Sequence, residues 1–455
     1  MVRLHPPLSA PEAGAPRAMR RRRPPWLEDD SEEIPHGPRE RGWRAEDSGL
    51  AAVRPGRVEA ALEAALADHP TSIRLGIVCD YLDEGWPSMD LAAELLAAAL
   101  ATHAPREFRA TLLRPPMPRL ARLASRSGFA RNADRYFGRY VAYPRWLRSR
   151  AGRFDLFHVV DHSYAHLLRV LPPERTVVTC HDLDAFRSVL DPGEEPRPAW
   201  FRQTMKLVLS GMRKAAFVVC DSEAIRAALE ERDLVPPERL RVVPLPVHPD
   251  FEPDPDPPAD REAARWLGPA DAHPADLLHV GINVPRKGIP FLLRVFAGVR
   301  RTHPAARLLR AGPLTPDQRA LAEELGIAGS IVELPFLERR VLAAVYRRAA
   351  AVLMPSEREG FGLPLVEAMA CGTPVVASDL PVFREVGGEA PVYRDGRDVE
   401  GWIAAVDRLL RDRGDAREWR GRRAAALERA EAFSLESYAH GIIDVYHQVL
   451  WHGRR

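Results

Sequence analysis

The sequence predicts an α/β protein built from two doubly wound domains. Short apolar, β-prone runs alternate with helical segments from Ile73 onward, and this alternation is typical of parallel sheets covered by helices on both faces. The length of 455 residues is more than one hydrophobic core usually supports. The proline- and acid-rich segment 250–260, DFEPDPDPPAD, has no apolar period and is the best candidate for a linker between the domains.

Composition changes along the chain predict the domain boundaries. Residues 1–70 are crowded with Pro, Arg, Glu and Gly, so we expect a disordered or poorly ordered N-terminal extension. We expect an N-terminal Rossmann-like domain over residues 71–250 and a C-terminal one over 251–430. A terminal helix is expected within residues 431–455, where apolar residues recur at helical spacing.

Charge and cysteine content narrow the function classes. A formal net charge of +2 is too small to argue for a nucleic-acid partner. The four cysteines are far apart and lie mostly in apolar runs, which predicts buried thiols in a reducing compartment. No run of 18 uncharged apolar residues appears, and the N-terminus lacks the apolar core of a signal peptide. The sequence therefore predicts a cytosolic protein.

The first domain is predicted from five short strands and the helices between them. Helices are expected over Leu91–Leu100 and on both sides of the run 215–222, AAFVVCDS. The predicted strands are Ile73–Cys79, Phe154–Val160, Thr176–Cys180, the run 215–222 and Leu240–Val247.

Two polar positions in this domain follow predicted strands. His181 comes directly after Thr176–Cys180, and a side chain at a strand end sits where α/β sheets bind ligands. Turn formation by His181 and Asp182 is the alternative. Gly85 is the only glycine in the loop after the first strand, although a plain strand-to-helix connection explains it almost as well.

The stretch 131–153, RNADRYFGRYVAYPRWLRSRAGR, mixes arginines with five aromatic residues. Such a mixture suits the boundary between lipid and water on an anionic membrane. The alternative packs the aromatic rings inward and leaves the arginines in water. Aromatic and basic residues also suit single-stranded nucleic acid, but nothing else in the sequence supports that partner.

The second domain repeats the alternation of strand and helix. The predicted strands are Leu277–Gly281, Arg307–Gly312, Ile331–Pro335, Ala349–Met354 and Val375–Ala377. The predicted helices are Ile289–Val299, Pro316–Leu325, Arg339–Ala349, Leu363–Cys371, Val399–Asp412 and Leu435–Trp451.

The segment 355–378, PSEREGFGLPLVEAMACGTPVVAS, is the most informative stretch of the chain. It predicts a glycine turn, a helix with Pro364 near its first position, a stop at Gly372 and a new strand. The first N–H groups of the helix have no partner within it, and the positive end of the helix dipole lies behind them. The turn therefore suits a phosphate group.

Two carboxylates flank this turn. Glu359 precedes the glycines and Glu367 lies one turn into the helix. Carboxylates beside a phosphate site are suited to accept hydrogen bonds from neutral hydroxyls on either side of it. A nucleotide sugar has that layout of sugar, diphosphate and ribose. The alternative is an ordinary β-α-β surface unit with solvated glutamates.

This stretch resembles the signature of the retaining glycosyltransferases of family four, the group 1 glycosyl transferases, in which two glutamates eight positions apart flank a Gly-Phe-Gly turn. The resemblance implies the GT-B fold, in which two Rossmann-like domains face each other across a cleft and a terminal helix crosses back to the first domain. It places Glu359 on the donor sugar and Glu367 on the ribose hydroxyls. It also places residues 360–363, which are Gly360, Phe361, Gly362 and Leu363, on the donor.

The resemblance assigns cations as well. It places Lys287, in the loop INVPRKG, on the donor diphosphate, with Arg286 as a neighbour. Many relatives carry an arginine soon after the first glycine of this loop, where this chain has Ile282 and Asn283, and Arg286 is a candidate substitute. The resemblance further places His181 on the donor sugar and Gly85 near the donor phosphates.

Together these features predict a retaining hexosyltransferase that uses a UDP-, GDP- or ADP-sugar and no cofactor. The predicted acceptor is a hydroxyl of a glycan or a lipid-linked molecule. No Asp-x-Asp pair is well placed after a strand of the second domain, so we expect metal-independent catalysis. Two alternatives remain open from the sequence: a phosphorylase or sugar-nucleotide epimerase of the same architecture, and a non-catalytic module that binds sugar nucleotides.

Overall fold

A computed structural model describes residues 72–119, 128–269, 272–273 and 275–452. Two six-stranded sheets with all strands parallel form the framework, as the sequence predicts. The extension predicted over residues 1–70 lies outside the described residues. No helix in the described part of the chain is long and apolar enough to span a membrane.

The first sheet has the strand order β2-β1-β3-β4-β5-β6. Strands β3 and β4 are buried along their whole length, because helices cover both faces. The strands are β1 (Ile73–Val78), β2 (Phe108–Leu113), β3 (Leu156–Val159), β4 (Thr176–Cys180), β5 (Phe217–Cys220) and β6 (Leu240–Val242). The helices are α1 (Pro87–His103), α2 (Gly128–Phe137), α3 (Tyr143–Arg148), α4 (Arg187–Leu190), α5 (Ala199–Met212) and α6 (Glu223–Glu231).

The second sheet has the order β12-β11-β10-β7-β8-β9. Its central strand β10 is fully buried and lies between β11 and β7. The strands are β7 (Asp276–Val280), β8 (Arg307–Ala311), β9 (Ile331–Leu334), β10 (Ala351–Met354), β11 (Val375–Ser378) and β12 (Val392–Arg394). The helices are α7 (Pro257–Leu267), α8 (Ile289–Thr302), α9 (Pro316–Glu324), α10 (Arg339–Arg348), α11 (Leu363–Ala370), α12 (Pro381–Gly387), α13 (Val399–Gly414) and α14 (Ala416–Ala430).

The last helix, α15 (Leu435–His452), returns to the first domain. The Tyr446 hydroxyl lies 2.7 Å from Nδ1 of His158 on β3. Gln448 accepts two hydrogen bonds from the guanidinium of Arg241 on β6, at 3.1 and 2.6 Å. Tyr446 is fully buried in the same apolar cluster as residues of both sheets. The predicted crossover helix is therefore confirmed.

Part of the predicted linker is helical. Helix α7 begins at Pro257, inside the segment 250–260, and the Asp256 carboxylate caps it by accepting a hydrogen bond from the N–H of Ala259. A proline in the first turn needs no hydrogen-bond partner and has the right φ angle. The segment predicted as the linker therefore includes the first turn of a helix.

Among the described side chains of the stretch 131–153, some aromatic rings pack inward and others are exposed. Tyr143 is fully buried, and its hydroxyl donates to the carbonyl of Leu113 at 2.5 Å. Tyr136 and Phe137 are instead exposed. Trp200, at the start of α5, is 58% exposed and its ring lies 5.4 Å from that of Tyr136. Packing therefore accounts for the second half of the stretch, and an aromatic surface remains at the first.

Candidate active site

The glycine turn connects β10 to α11 and lies against the first domain. A Cβ atom on Gly360 would be 1.7 Å from the carbonyl oxygen of His181, so only glycine allows this approach. Gly362 has a φ of +94° and precedes the first turn of α11, which no described side chain caps. The arrangement predicted from the sequence, a helix N-terminus behind two glycines, is therefore present where the two domains meet.

Two hydrogen-bonding pairs hold the domains together beside this turn. The Ser222 hydroxyl donates to the carbonyl of Gly360 at 2.9 Å. The Glu385 carboxylate accepts from the N–H groups of Glu223 and Ala224, at 2.6 and 3.2 Å. Glu385 thus occupies the positive end of α6, a favourable place for an anion. These hydrogen bonds join the two domains at and beside the turn.

Glu359 is buried, with 6% of its side chain exposed, and is paired with two cations. Lys287 Nζ lies 2.5 Å from one of its carboxylate oxygens and Arg286 Nη1 lies 2.9 Å from the other. The Ser356 hydroxyl donates to it at 2.8 Å. Burial raises the pKa of Glu359, but these cations and hydrogen bonds outweigh burial and hold the pKa below its usual value. Glu359 is therefore ionised and already bound to cations.

The lysine loop reaches Glu359 because it is packed against the end of β10. Gly288 has a φ of +64°, and a Cβ atom there would lie 2.3 Å from the carbonyl oxygen of Pro355. The N–H of Glu357 also donates to the carbonyl of Arg286 at 2.7 Å. Arg286 makes a second ion pair, at 3.0 Å, with Asp184 of the first domain. Arg286 therefore bridges the cleft.

Glu367 lies on the other side of the turn in a different environment. It is 8% exposed, and the Tyr346 hydroxyl donates to its carboxylate at 2.7 Å. Burial raises its pKa to about 7, although the hydrogen bond from Tyr346 and the charges of Arg339 and Lys287 oppose that rise. The two predicted glutamates therefore differ in charge state near neutral pH, because one has cations beside it and the other is mainly desolvated.

Both ring nitrogens of His181 are engaged within the first domain. Nδ1 lies 2.6 Å from Asp221 and Nε2 lies 2.7 Å from the carbonyl oxygen of Val160. Since a carbonyl only accepts, Nε2 carries a proton. Burial lowers the pKa of His181, but Asp221 more than offsets this and raises it to about 9. His181 is a charged imidazolium whose backbone, rather than its ring, touches the glycine turn.

The remaining predicted positions take varied places. Phe361 is buried against Phe433, with ring centres 5.7 Å apart, so its side chain belongs to the core. Leu363 packs against the same core. Gly85 has a φ of +70° in the turn after β1, and none of the contacts that join Lys287, Arg286 and Glu359 involves it.

A cavity of about 300 Å³ opens beside the turn between the domains. Asp182, Asp184 and Ala224 line it from the first domain, and Arg286, Glu359 and Gly360 line it from the second. The ring of Phe336, just beyond β9, is 79% exposed. A large exposed aromatic side chain at a strand end offers a flat apolar surface to a ligand.

Several residues of the site were missed in the sequence. Asp221 and Tyr346 orient His181 and Glu367, and Glu385 joins the domains. Asp221 carried a usable signal, because it is a carboxylate near the end of the otherwise apolar predicted strand 215–222. Tyr346 lies inside an ordinary amphipathic helix, where nothing distinguishes it from a core residue.

Two family models match the chain over the two sheets. The model described as "Glycosyltransferase Family 4" matches residues 90–251, and the one described as "Glycosyl transferases group 1" matches residues 260–426. The D-inositol 3-phosphate glycosyltransferase of Mycobacterium sp. (strain KMS) is 36% identical over 324 residues, which is 66% of this chain and 70% of that protein.

Solved structures share the architecture. Sucrose-phosphate synthase from Thermosynechococcus elongatus superimposes with a TM-score of 0.65 at 19% identity, covering 84% of this chain and 100% of that one. HepE from Anabaena, in complex with UDP and glucose, gives a TM-score of 0.61 at 15% identity over 82% of this chain and 98% of its own. At these identities the likeness concerns the fold.

Proposed function

The chain belongs to the group 1 glycosyltransferases of family four, and from this premise we propose that it transfers a hexose from a nucleotide-diphosphate sugar to an acceptor hydroxyl with retention of configuration. The observation that carries the proposal is the meeting of Lys287, Arg286 and Glu359 at the uncapped start of α11. Cations, a helix N-terminus and a sugar-binding carboxylate in one place suit a glycosyl diphosphate.

Donor binding then exchanges partners at this place. Lys287 is bonded to Glu359 in the structure. The donor diphosphate takes the ammonium of Lys287 and the N–H groups at the start of α11, and hydroxyls of the hexose donate to the released carboxylate. Glu367, on the far side of the turn, accepts from the ribose. In this proposal the Lys287–Glu359 ion pair is replaced by two contacts with the donor, one to its diphosphate and one to its hexose.

The chemical step breaks the bond between the sugar carbon and the phosphate oxygen. Negative charge grows on the departing diphosphate, and the fixed charge of Lys287 and the dipole of α11 stabilise it without reorganisation. The acceptor hydroxyl approaches on the face that the diphosphate leaves and gives its proton to the diphosphate. Closure of the cleft excludes water, which would otherwise compete as an acceptor.

We propose that this step needs no metal ion. The lysine, the arginine and the helix terminus supply positive charge where a metal would otherwise act. Activity in an excess of EDTA tests this. We expect unchanged turnover, and a complete loss that Mg²⁺ restores would refute metal independence while leaving the transfer reaction in place.

For the donor we propose a UDP-, GDP- or ADP-sugar, and for the acceptor a glycan or a lipid-linked molecule. The match to HepE, whose structure contains UDP and glucose, makes UDP-glucose the first donor to test. Thermal-shift screening of the three nucleotide sugars, followed by NMR of the anomeric proton of the product, tests donor and stereochemistry together. An inverted anomer would overturn the retaining mechanism, and donor isomerisation without transfer would favour an epimerase.

We also propose that the aromatic surface of Tyr136, Phe137 and Trp200 rests on the cytoplasmic face of an anionic membrane. These rings are exposed. Arg145, in the stretch 131–153, and Lys206, on α5, are also exposed. Aromatic rings and cations together suit anionic headgroups. Sedimentation with phosphatidylglycerol vesicles should carry the protein down, and the Tyr136→Ser, Trp200→Ser double variant should stay in the supernatant. Equal sedimentation of both proteins would contradict this contact.

A further inference from the structure

The second domain contains a buried arginine, Arg310, that has no carboxylate partner among the described residues. Arg310, on β8, is 0% exposed. Its guanidinium donates to the carbonyl of Ala311 and lies 3.5 Å from the side-chain oxygen of Asn283, while its Nε has no partner among the described residues. No described Asp or Glu lies within ion-pair distance of it. Burying an unpaired charge is costly, so a role for that charge is expected.

The obvious partner of Arg310 is already in use. Glu333 lies opposite it in the register of β8 and β9. The Glu333 carboxylate instead accepts from the guanidinium of Arg319, at 3.1 and 2.9 Å, and from the N–H of Leu314 at 2.8 Å. Burial accordingly lowers the pKa of Arg310 to about 10, and the charge of Glu333 offsets only part of that effect. Arg310 therefore keeps a charge that no described carboxylate pairs with directly, although Glu333 acts on it from the neighbouring strand.

Arg310 lies under the loop that carries Lys287. A Cβ atom on Gly312 would be 3.1 Å from Nη1 of Arg310 and 3.3 Å from the carbonyl oxygen of Gly281. One on Gly281 would be 3.4 Å from Cε of Lys287. His279, beside them, has its pKa held well below the usual value by burial and then by the charges of Arg310 and Lys287. The fields of the two cations therefore overlap at the carboxyl ends of β7 and β8.

The ion pairs of the site offset most of its positive charge. Lys287 and Arg286 are both bonded to Glu359, and Arg286 is also bonded to Asp184. With Arg358, which lies 3.7 Å from Asp184, three cations face two carboxylates, and a donor diphosphate brings further negative charge. Ile282, which follows the first glycine of the Lys287 loop, is an apolar side chain that is 50% exposed.

We propose that Arg310 adds positive charge for the donor diphosphate, from the neighbouring strand and through the electric field rather than by contact. The inference rests on the proposed function, because it needs a diphosphate over the Lys287 loop. Arg310 is a positioning residue that attracts the phosphates. Inside a protein an uncompensated charge acts strongly on a ligand a few ångströms away.

Calorimetry with three nucleoside diphosphates and their nucleosides tests this role. UDP, GDP and ADP are titrated into the wild type, and the tightest binder is compared with uridine, guanosine or adenosine. Arg310→Met should weaken the diphosphate at least about tenfold and leave the nucleoside affinity unchanged. Arg310→Lys, which keeps a cation, should retain most of the diphosphate affinity.

Thermal stability separates this role from a structural one. Arg310→Met removes a buried unpaired charge and should keep or raise Tm. Arg307→Met is the matched control, because Arg307 lies at the other end of β8 in a two-bond ion pair with Asp276, at 2.8 and 2.7 Å. The control should lower Tm and leave diphosphate affinity unchanged. A lower Tm for Arg310→Met with equal losses for diphosphate and nucleoside would overturn the proposal.

A loop variant covers the case in which Arg310→Met does not fold. Asn283→Asp puts a carboxylate beside the guanidinium and should weaken the diphosphate as strongly, whereas Asn283→Ser should not. Equal affinities for these two variants would contradict the proposal. If the wild type binds none of the three diphosphates, the proposed function fails; if it binds one and the Arg310 variants bind it equally well, only the role of Arg310 fails.

Discussion

Glu359 and His181 belong to opposite domains, and each is held by two strong partners. The partners of Glu359 are the cations Lys287 and Arg286, which a diphosphate can capture. The partners of His181 are Asp221 and a backbone carbonyl, which a donor has no means of displacing. In the proposed mechanism this difference separates two tasks: the second domain exchanges charges with the ligand, and the first domain presents a fixed surface.

The largest expected effect comes from removing the cation that is exchanged. Lys287→Ala should lower turnover by about 10²- to 10³-fold, because the diphosphate loses the charge that stabilises its departure. Lys287→Arg should restore little, since a planar guanidinium does not fit the place of a compact ammonium. Lys214→Ala, an exposed lysine of the first domain, is the control. Steady-state kinetics that show less than a tenfold loss would contradict the exchange.

A smaller and two-sided effect is expected at Glu359. Glu359→Gln should lower turnover about 100-fold, since the sugar loses its carboxylate acceptor. The same change should tighten binding of the free nucleoside diphosphate several-fold, because Lys287 and Arg286 no longer have a competing anion. Calorimetry and kinetics on one preparation measure both. Weaker diphosphate binding in the variant would show that Glu359 does not compete with the diphosphate for the two cations.

The fixed side of the cleft predicts an effect on stability. The folded pKa of His181 is about 9, above its ordinary value of 6.5, so its stabilising contribution is complete below pH 6.5 and is lost as pH rises through 9. The shift corresponds to about 3 kcal/mol. Asp221→Asn should remove much of this dependence. Urea unfolding at pH 6 and pH 9.5 measures the free energy of unfolding of both proteins. An equal loss of stability between these pH values in the wild type and the variant would contradict the pairing.

The smallest expected effect concerns Glu367, whose pKa is set mainly by burial rather than by a paired charge. Its pKa of about 7 means that the carboxylate form, which accepts from ribose, grows as pH rises through 7. Affinity for the nucleotide sugar should rise a few-fold between pH 6 and pH 8 and level off above. Glu367→Gln should give a flat profile. Tyr346→Phe, which removes a hydrogen bond to the carboxylate, should move the wild-type profile to higher pH.

Much of the second domain could be predicted because its local signals agree. Helix α11 begins at the predicted residue, since Gly362, Pro364 and an apolar run all favour it. Strand β2 and helix α14 were not predicted. The run FRATLL of β2 interrupts its apolar residues with Arg109 and Thr111, and α14 is rich in arginine with a weak apolar stripe. Their structure depends on packing partners far away in sequence.

The sequence predicted which residues form the site better than it predicted the contacts between them. Lys287, Arg286 and Glu359 come together as the resemblance implied, but their mutual ion pairs depend on the contact between Gly288 and Pro355. No local pattern encodes that contact. Arg310 carried a signal of its own, an arginine between the apolar residues Leu309 and Ala311 of β8, whose meaning depended on where Glu333 and Arg319 lie.

Helix α15 adds a constraint on how the chain is made. Tyr446 and its neighbours complete a core that includes β1 and β3, although 288 residues separate Tyr446 from His158 of β3 along the chain. The amino-terminal lobe therefore leaves the ribosome with an apolar groove uncovered until the last helix emerges. Chaperone demand during translation, and poor recovery of this lobe when expressed by itself, are the natural outcomes of that delay.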